Sequence, residues 1–318
     1  MEYRKVQMIG DTYIISLPKE WAKHNGLKKG SLVALETGKG GKLIVYPFEK
    51  EEKRREVELC YPVASHTQLH NEITAAYLVG FDIIRVVGSE RIDYKDREVI
   101  KELVRRFIGL EIVEEDANSI TIQFLLQVET LDPKKMFKRM NLLTKGMYRD
   151  VITSLVENDP KLSKIVIERD DEVDRLYFLL VRLLRSVAID TSLAIKLDLS
   201  PIEYLDFRVA ATLLENVGDY AVDMAKVVLS EMRVNNKGVL LEIGRVLESI
   251  QENAVRAFLL RNRKDVEKIL ELYGKLDERV KVSEEANGSF EFHELIRKIA
   301  KCSIDLADLV MPLYPRVK

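Results

Sequence analysis

From Leu131 to the carboxyl end, apolar residues recur at three- and four-residue steps, and the pattern breaks only at NDPK (158–161), LDLSP (197–201), VNNKG (234–238), LRNRKD (260–265) and EANGS (285–289). That period puts one apolar stripe on a helix and leaves the rest to water, so this part of the chain folds as packed helices. Five breaks delimit six of them. Pro160 and Pro201 stand at expected helix starts, where a missing amide proton costs no hydrogen bond. The six read as two three-helix units, 133–234 and 236–318, each with acidic side chains on its second and third helices. This is an internal repeat, weak in sequence.

The front of the chain follows other periods. Residues 52–130 alternate strand, helix, strand, helix and a hairpin around DANS (116–119), a small mixed α/β unit. His66 and His70, four apart on its first helix with Glu72 nearby, offer two imidazoles but no third ligand, which favours a structural or surface role. Residues 1–50 read as a strand, a glycine turn, a strand ending at Pro18, a short helix, and two strands around GKGG (38–41). No helix follows GKGG, so it reads as a hairpin turn rather than a phosphate cradle. So small a β unit cannot build a core alone. The fold class expected is multi-domain α+β: a β head (1–50), a small α/β unit (52–130) and an all-α body of two three-helix units.

Charge and composition narrow the function classes. The first fifty residues carry nine basic against five acidic side chains, a net +4, which leaves −6 for the rest of a chain whose total is −2. The net charge of −2 argues against nucleic-acid binding by bulk basicity, but the charge is uneven, a basic head on an acidic body. The longest apolar stretch, LYFLLVRLLRSVAI, is broken by Arg182 and Arg185 and falls short of the roughly 20 residues a membrane span needs. With no signal-peptide pattern, the expectation is a cytoplasmic protein without membrane insertion. Cys60 and Cys302 lie far apart without CxxC spacing and read as reduced, buried apolar residues.

The acidic side chains of the first helical unit are the chemical signal. Asp170 and Asp174 are four apart on one helix; Glu215, Asp219 and Asp223 continue at four-residue steps along the next. Like charges at that spacing each cost a helix about 0.2–0.5 kcal/mol, so something cationic must compensate. Arg169, Arg175 and Arg208 are one set of candidates, and a hard metal ion held by oxygen ligands from two rigid helices is the other. Gly218, beside Asp219, costs a helix interior about 0.8–1.0 kcal/mol and suggests the close approach of another backbone.

VIERDDEVD (166–174), followed by DFRVAATLLENVGDYAVDMA (206–225), resembles the PhoU family of phosphate-signalling proteins: an acid-xxx-acid pair on one helix, then a DLR-like triplet, here Asp206, Phe207 and Arg208, and an ExxGD motif. The resemblance implies a metal site of Asp170, Asp174, Glu215 and Asp219, with Asp223 a further ligand, for iron, zinc or magnesium. In the second unit, Asp277 is followed by Lys281, and Lys301 by Asp305, where the pattern has paired acids. Opposite charges there neutralise each other, so one metal site per chain is expected, in the first unit.

The head has a resemblance of its own. RKVQMIGDTYIISLPKEWAKHNGLKKGSLVAL and GKLIVYP are similar to the swapped-hairpin AbrB/SpoVT family, in which two copies interleave into one barrel. This implies a homodimer with Leu17, Trp21, Leu27 and Val33 in its core, and DNA contact through Arg4, Lys5, Lys19 and Lys23. Asp11, Ala22 and Lys23 stand where many DNA-binding relatives carry arginine, which weakens base readout relative to phosphate attraction. The whole then reads as a non-enzymatic regulator of phosphate uptake, with a phosphate-transporter ATPase or components of its regulatory circuit as partners by resemblance. Two other classes stay open: a DNA-binding transcription regulator with a sensing helical body, and a carboxylate-bridged metal enzyme. His24, His66, His70 and His293 all lie outside the acidic stripes, unlike the histidines of most such enzymes.

Overall fold

A computed structural model describes residues 2–38, 41–47, 54–230, 235–287 and 289–310. The chain divides into two compact units, Met1–Arg54 and Arg55–Lys318. In the first, β1 (Gln7–Ile9) and β2 (Thr12–Ile14) pair antiparallel across Gly10, whose φ of 59° suits a residue without Cβ. A short α1 (Lys19–His24) leads to β3 (Val33–Gly38) and β4 (Lys42–Pro47), also antiparallel. These two strands flank the expected GKGG hairpin; its residues 39 and 40, and the boundary expected near residue 50, lie outside the described residues. No described side chain of this unit is buried. Leu17, Trp21, Leu27 and Val33, expected as core, are half-buried in the single chain.

The second unit starts with the α/β elements: β5 (Glu56–Tyr61), α2 (His66–Val79), β6 (Ile83–Gly88), α3 (Tyr94–Arg106), β7 (Leu110–Glu115) and β8 (Ser119–Phe124). The sheet runs β5-β6-β8-β7, with β5 parallel to β6 and the other pairs antiparallel. Ser65 caps α2 at its start by accepting from the Gln68 amide, and Gly80, at φ 95°, ends it. β5 is an edge strand whose side chains alternate outward and inward, which places Cys60 on the exposed side. Of the two cysteines expected to be buried, only Cys302 is.

Helices follow: α4 (Pro133–Glu157), α5 (Pro160–Ile189), α6 (Thr191–Lys196), α7 (Pro201–Leu229), α8 (Lys237–Leu260), α9 (Arg263–Asn287) and α10 (Phe290–Asp308). The six long helices match the six periodic segments. The short α6 lies within the second periodic segment, expected to stay helical up to the break at 197–201, because Asp190 both ends α5 and caps a new turn through the amides of Ser192 and Leu193. Pro160 and Pro201 sit in the first turns of α5 and α7, and α7 opens with a capping box between Ser200 and Glu203. Phe137, Phe207 and Phe258, all buried with ring centroids 5.0–5.9 Å apart, join α4 and α7 to α8. One continuous core therefore runs through both three-helix sets and on into the α/β elements.

Two contacts on α5 hold the α/β elements to the bundle. Phe178 meets Phe107 edge-on at 5.3 Å, and Phe107 stacks on Tyr77 at 4.5 Å. Farther along, the buried Arg182 donates to the Tyr77 and Phe81 carbonyls (2.8 and 2.9 Å) and to Asp82 Oδ1 (3.2 Å), over the Phe124 ring at 3.9 Å.

Candidate metal centre

Buried Val173 and Val217 seat α5 on α7, and the acidic residues flank this seam: Asp170 and Asp174 on α5, Glu215, Asp219 and Asp223 on α7. A Cβ on Gly218 would meet Asp170 Oδ1 at 3.3 Å and Val173 Cγ1 at 3.4 Å. The expectation that another backbone approaches Gly218 is thus corrected. The glycine makes room for the Asp170 carboxylate and a valine methyl, and a side chain there would press on the carboxylate itself.

The electrostatics show acids gathered with little to balance them. Burial, and then Asp174 and Asp219, push the Asp170 carboxyl up to about 6. Burial, and then Asp219, Asp174 and Asp170, push Glu215 up to about 7. Asp219 is raised by burial and by Asp174 and Asp223. Among the described residues Asp170, Glu215 and Asp219 have no ion-pair partner.

Of the expected arginines only Arg208 offsets the cluster, as the last of the influences on Glu215, and none forms an ion pair with it among the described residues. Arg169 pairs with Asp150 at 2.7 Å, and Arg208 hydrogen-bonds Thr212 and lies over the Tyr177 ring at 5.3 Å. Arg175 is exposed and forms no ion pair among the described residues. The cation that does arrive is Arg106, from the last turn of α3, whose Nη2 donates to Asp174 Oδ2 at 2.6 Å. Nothing in the sequence pairs residues 68 apart, and Arg106 looks like any basic residue closing a helix. Asp223 has its own partner, Lys226, at 2.9 Å.

The second three-helix set shows the contrast. Lys281 bonds Asp277 and Lys301 bonds Asp305, both at 2.7 Å, and the lysine holds the Asp277 carboxyl below its ordinary range. Arg297 of α10 adds pairs across to Asp277 (3.6 Å) and Glu284 (2.6 Å) of α9, so these acids are neutralised both within and between helices.

The DLR-like triplet packs rather than ligates: Asp206 pairs with Arg261 at 3.3 Å and Phe207 is buried. The histidines stand apart from the acids. His66 meets the buried Asp96, which also accepts from Tyr61 Oη at 3.0 Å, so the structural role expected of this imidazole is visible. His66 and His70 line a cleft of about 560 Å³ between α2 and α3, with Glu102 and Arg106 on its other side. His293 is buried between the Ser289 carbonyl (2.5 Å) and Ser283 Oγ (2.9 Å). In the head, Arg4 is tied to Glu2 at 2.7 Å, while Lys5, Lys19 and Lys23 are exposed.

As placed, no three Asp, Glu, His or Cys side chains among the described residues converge tightly enough to enclose an ion. The donor chemistry is of the kind a hard cation takes: carboxylate oxygens from two rigid helices, on three side chains without an ion-pair partner among the described residues.

Comparison with known proteins bears on both ends of the chain. Residues 137–228, from α4 through α7, match the PhoU domain family, and residues 6–54 match the family described as antidote-toxin recognition MazE, bacterial antitoxin. Over 115 residues the chain is 30% identical to the phosphate-specific transport system accessory protein PhoU homolog of Aquifex aeolicus (strain VF5). That alignment covers 36% of this chain and 52% of the relative, so the chain spans about half the length of the curated relative it matches. The crystal structure of PhoU from Pseudomonas aeruginosa is similar at 15% identity and a TM-score of 0.48, over 57% of this chain and 95% of that one. PhoU from Streptococcus pneumoniae is similar at 17% identity and 0.41, over 56% and 87%. The chain therefore joins an amino-terminal MazE-type, AbrB-like domain to a PhoU domain.

Proposed function

We propose that this chain is a non-enzymatic, cytoplasmic regulator of phosphate uptake whose state is set by a cation on the α5–α7 carboxylates. Asp170, Asp174, Glu215 and Asp219 would hold the ion, with Asp223 at the edge. A bound cation supplies positive charge that cancels the repulsion among these side chains. Asp170 and Glu215 then tie α5 to α7 at a set angle, and the surface around them becomes one a partner protein can recognise. A phosphate-transporter ATPase or a component of its regulatory circuit is the partner class, as the accessory-protein name of the relative suggests. The observation that carries the reading is the pair of half-buried carboxylates, Asp170 and Glu215, raised first by burial and then by their acidic neighbours, and facing no ion-pair partner among the described residues. No helix among the described residues is long and apolar enough to cross a membrane.

Elemental analysis of the purified chain tests this. Iron, zinc or magnesium is expected at one site per chain, absent from an Asp170→Ala, Glu215→Ala double variant and retained in Lys281→Ala. Equal metal in the double variant would refute the assignment. A pH series adds a second readout. Folded Asp170 and Glu215 keep protons that the unfolded chain releases near its ordinary carboxyl values of about 4. The contribution of these two groups to the stability of the metal-free chain is therefore expected to be largest below about pH 4 and to fall as pH rises through the folded values of about 6 and 7. Asp171, Asp219, Asp223, Arg106, Arg208 and Lys226 also face or adjoin the cluster, and a Glu215→Gln variant isolates its share. Thermal midpoints that stay flat across that range would count against it.

The head is proposed to pair two copies and to contact DNA through Lys5, Lys19 and Lys23, with Arg4 freed from Glu2. Lysines act as point charges on phosphates and supply no bidentate base readout. Charge reversal at Lys19 and Lys23 is expected to weaken retention of unrelated duplexes equally and to flatten its salt dependence. A loss confined to one duplex sequence would show base readout instead.

A further inference from the structure

The α2–α3 cleft stands outside the proposed cation site, joined to it only where Arg106 meets Asp174. His66 and Asp96 meet in the first turns of α2 and α3, so the two helices start side by side and Arg106, in the last turn of α3, closes the far end. From Val99 to Arg106 the α3 wall runs about 10 Å. The volume of about 560 Å³ falls within the roughly 300–1,000 Å³ of small-molecule sites. We infer that this cleft binds a basic α-amino acid as a zwitterion, with its carboxylate on Arg106, its α-ammonium on Glu102 and its side chain running to His66.

Two polar groups of the cleft are held from behind. The buried Asp96 accepts from His66 Nδ1 and from Tyr61 Oη, which leaves the lone pair of Nε2 in the neutral ring as an acceptor for the ligand. Asp174 takes Nη2 of Arg106, and Nη1 and Nε have no hydrogen bond among the described residues, so they can donate to a carboxylate. Glu102 stands one turn before Arg106, the order and spacing at which acid and base normally pair on a helix. Yet Arg106 turns to Asp174, and Glu102 forms no ion pair among the described residues. The α3 wall thus presents an acid and a base separately, one turn apart. Simpler ligands fit this wall less well. A bare anion would meet Glu102, with Asp96 and Asp174 close behind, and a bare cation would meet Arg106. Val99 and Leu103 give apolar ground for the methylenes of a side chain. At the His66 end, an acceptor nitrogen backed by a buried carboxylate suits a terminal ammonium.

Isothermal titration of the full-length chain tests this. L-lysine is expected to bind, and 2-aminoheptanoate, which puts a methyl where lysine has its terminal ammonium, about tenfold more weakly. Cadaverine, which lacks the carboxylate, and 6-aminohexanoate, which lacks the α-ammonium, are each expected to lose about tenfold or more. Glu102→Gln is expected to weaken L-lysine about tenfold and to leave 6-aminohexanoate at its natural affinity, a split that loss of folding would not produce. Arg105→Ala, at an exposed neighbouring position, and the Asp170→Ala, Glu215→Ala double variant are each expected to bind L-lysine within about twofold of the natural chain. The double variant thereby separates this site from the metal reading. No binding of L-lysine at millimolar concentration would overturn the inference. So would an analogue binding as tightly as L-lysine, or an unaltered affinity for L-lysine in Glu102→Gln. Displacement of L-lysine by inorganic phosphate would also overturn it, by marking the cleft as an anion site.

Discussion

Arg182→Met is expected to lower stability by about 3–5 kcal/mol, the cost of stripping one partner from a buried charged network. Burial pushes the guanidinium down to about 10, which still leaves it charged at neutral pH. It serves the Tyr77 and Phe81 carbonyls at the carboxyl end of α2, where unpaired carbonyls and the helix dipole favour a cation. Methionine would fill similar space and leave the Phe81 carbonyl and one Asp82 oxygen without this donor, and the Tyr77 carbonyl with only the Gly80 amide. Arg185, three residues on, is exposed, and Arg185→Met is expected to stay within about 0.5 kcal/mol of the natural chain. Urea unfolding of the two variants side by side measures the difference. A loss below about 1 kcal/mol for Arg182→Met would mean that water replaces the guanidinium and that the remaining contacts, the apolar core and the Arg106–Asp174 pair, suffice to hold the α/β elements.

The second large effect is expected at the head. Leu35 and Leu43 are 63% and 57% exposed, and they share one face of the β3–β4 hairpin with their cross-strand partners Val45 and Thr37. Together with Met8, Ile9 and Tyr13 they give this unit an apolar surface and no buried described residue. In the proposed pairing of two copies, these side chains would supply the shared core. Burying a leucine contributes about 1.5 kcal/mol or more, so four of them in a symmetric dimer contribute on the order of 6 kcal/mol, roughly 10⁴-fold in dissociation constant. A Leu35→Asp, Leu43→Asp chain is therefore expected to sediment as a monomer at micromolar concentration, with a disordered head and no DNA retention. A dimer of undiminished stability would place the self-association elsewhere.

The carboxylate cluster separates what a helical period can tell from what it cannot. Four-residue steps place Asp170 with Asp174 and Glu215 with Asp219 on single faces, because a helix fixes its own geometry. They also point to a need for positive charge. They are silent on its source, since Arg169 and Arg208 turn to Asp150 and Thr212 while Arg106 comes from a different layer of the fold. Gly218 shows the same limit: its cost was readable, but whether it made room for a backbone or a carboxylate depended on how α5 lies against α7.

What the amino-acid order determined by itself was local: the six long helices and their proline starts, the strand pairs, the opposed charges on α9 and α10, and a head too small to enclose a core. Those follow from interactions within a few residues, whose geometry one element sets alone. Only the tertiary structure decided which charges meet. Arg182 reads in the sequence as an interruption of an apolar run, yet it is the buried donor to the carbonyls at the carboxyl end of α2, and Arg106 reads as an ordinary helix end, yet it answers Asp174. Long-range partners of this kind are selected by packing between separate elements, where a rotation of a few degrees changes which side chain a guanidinium can reach.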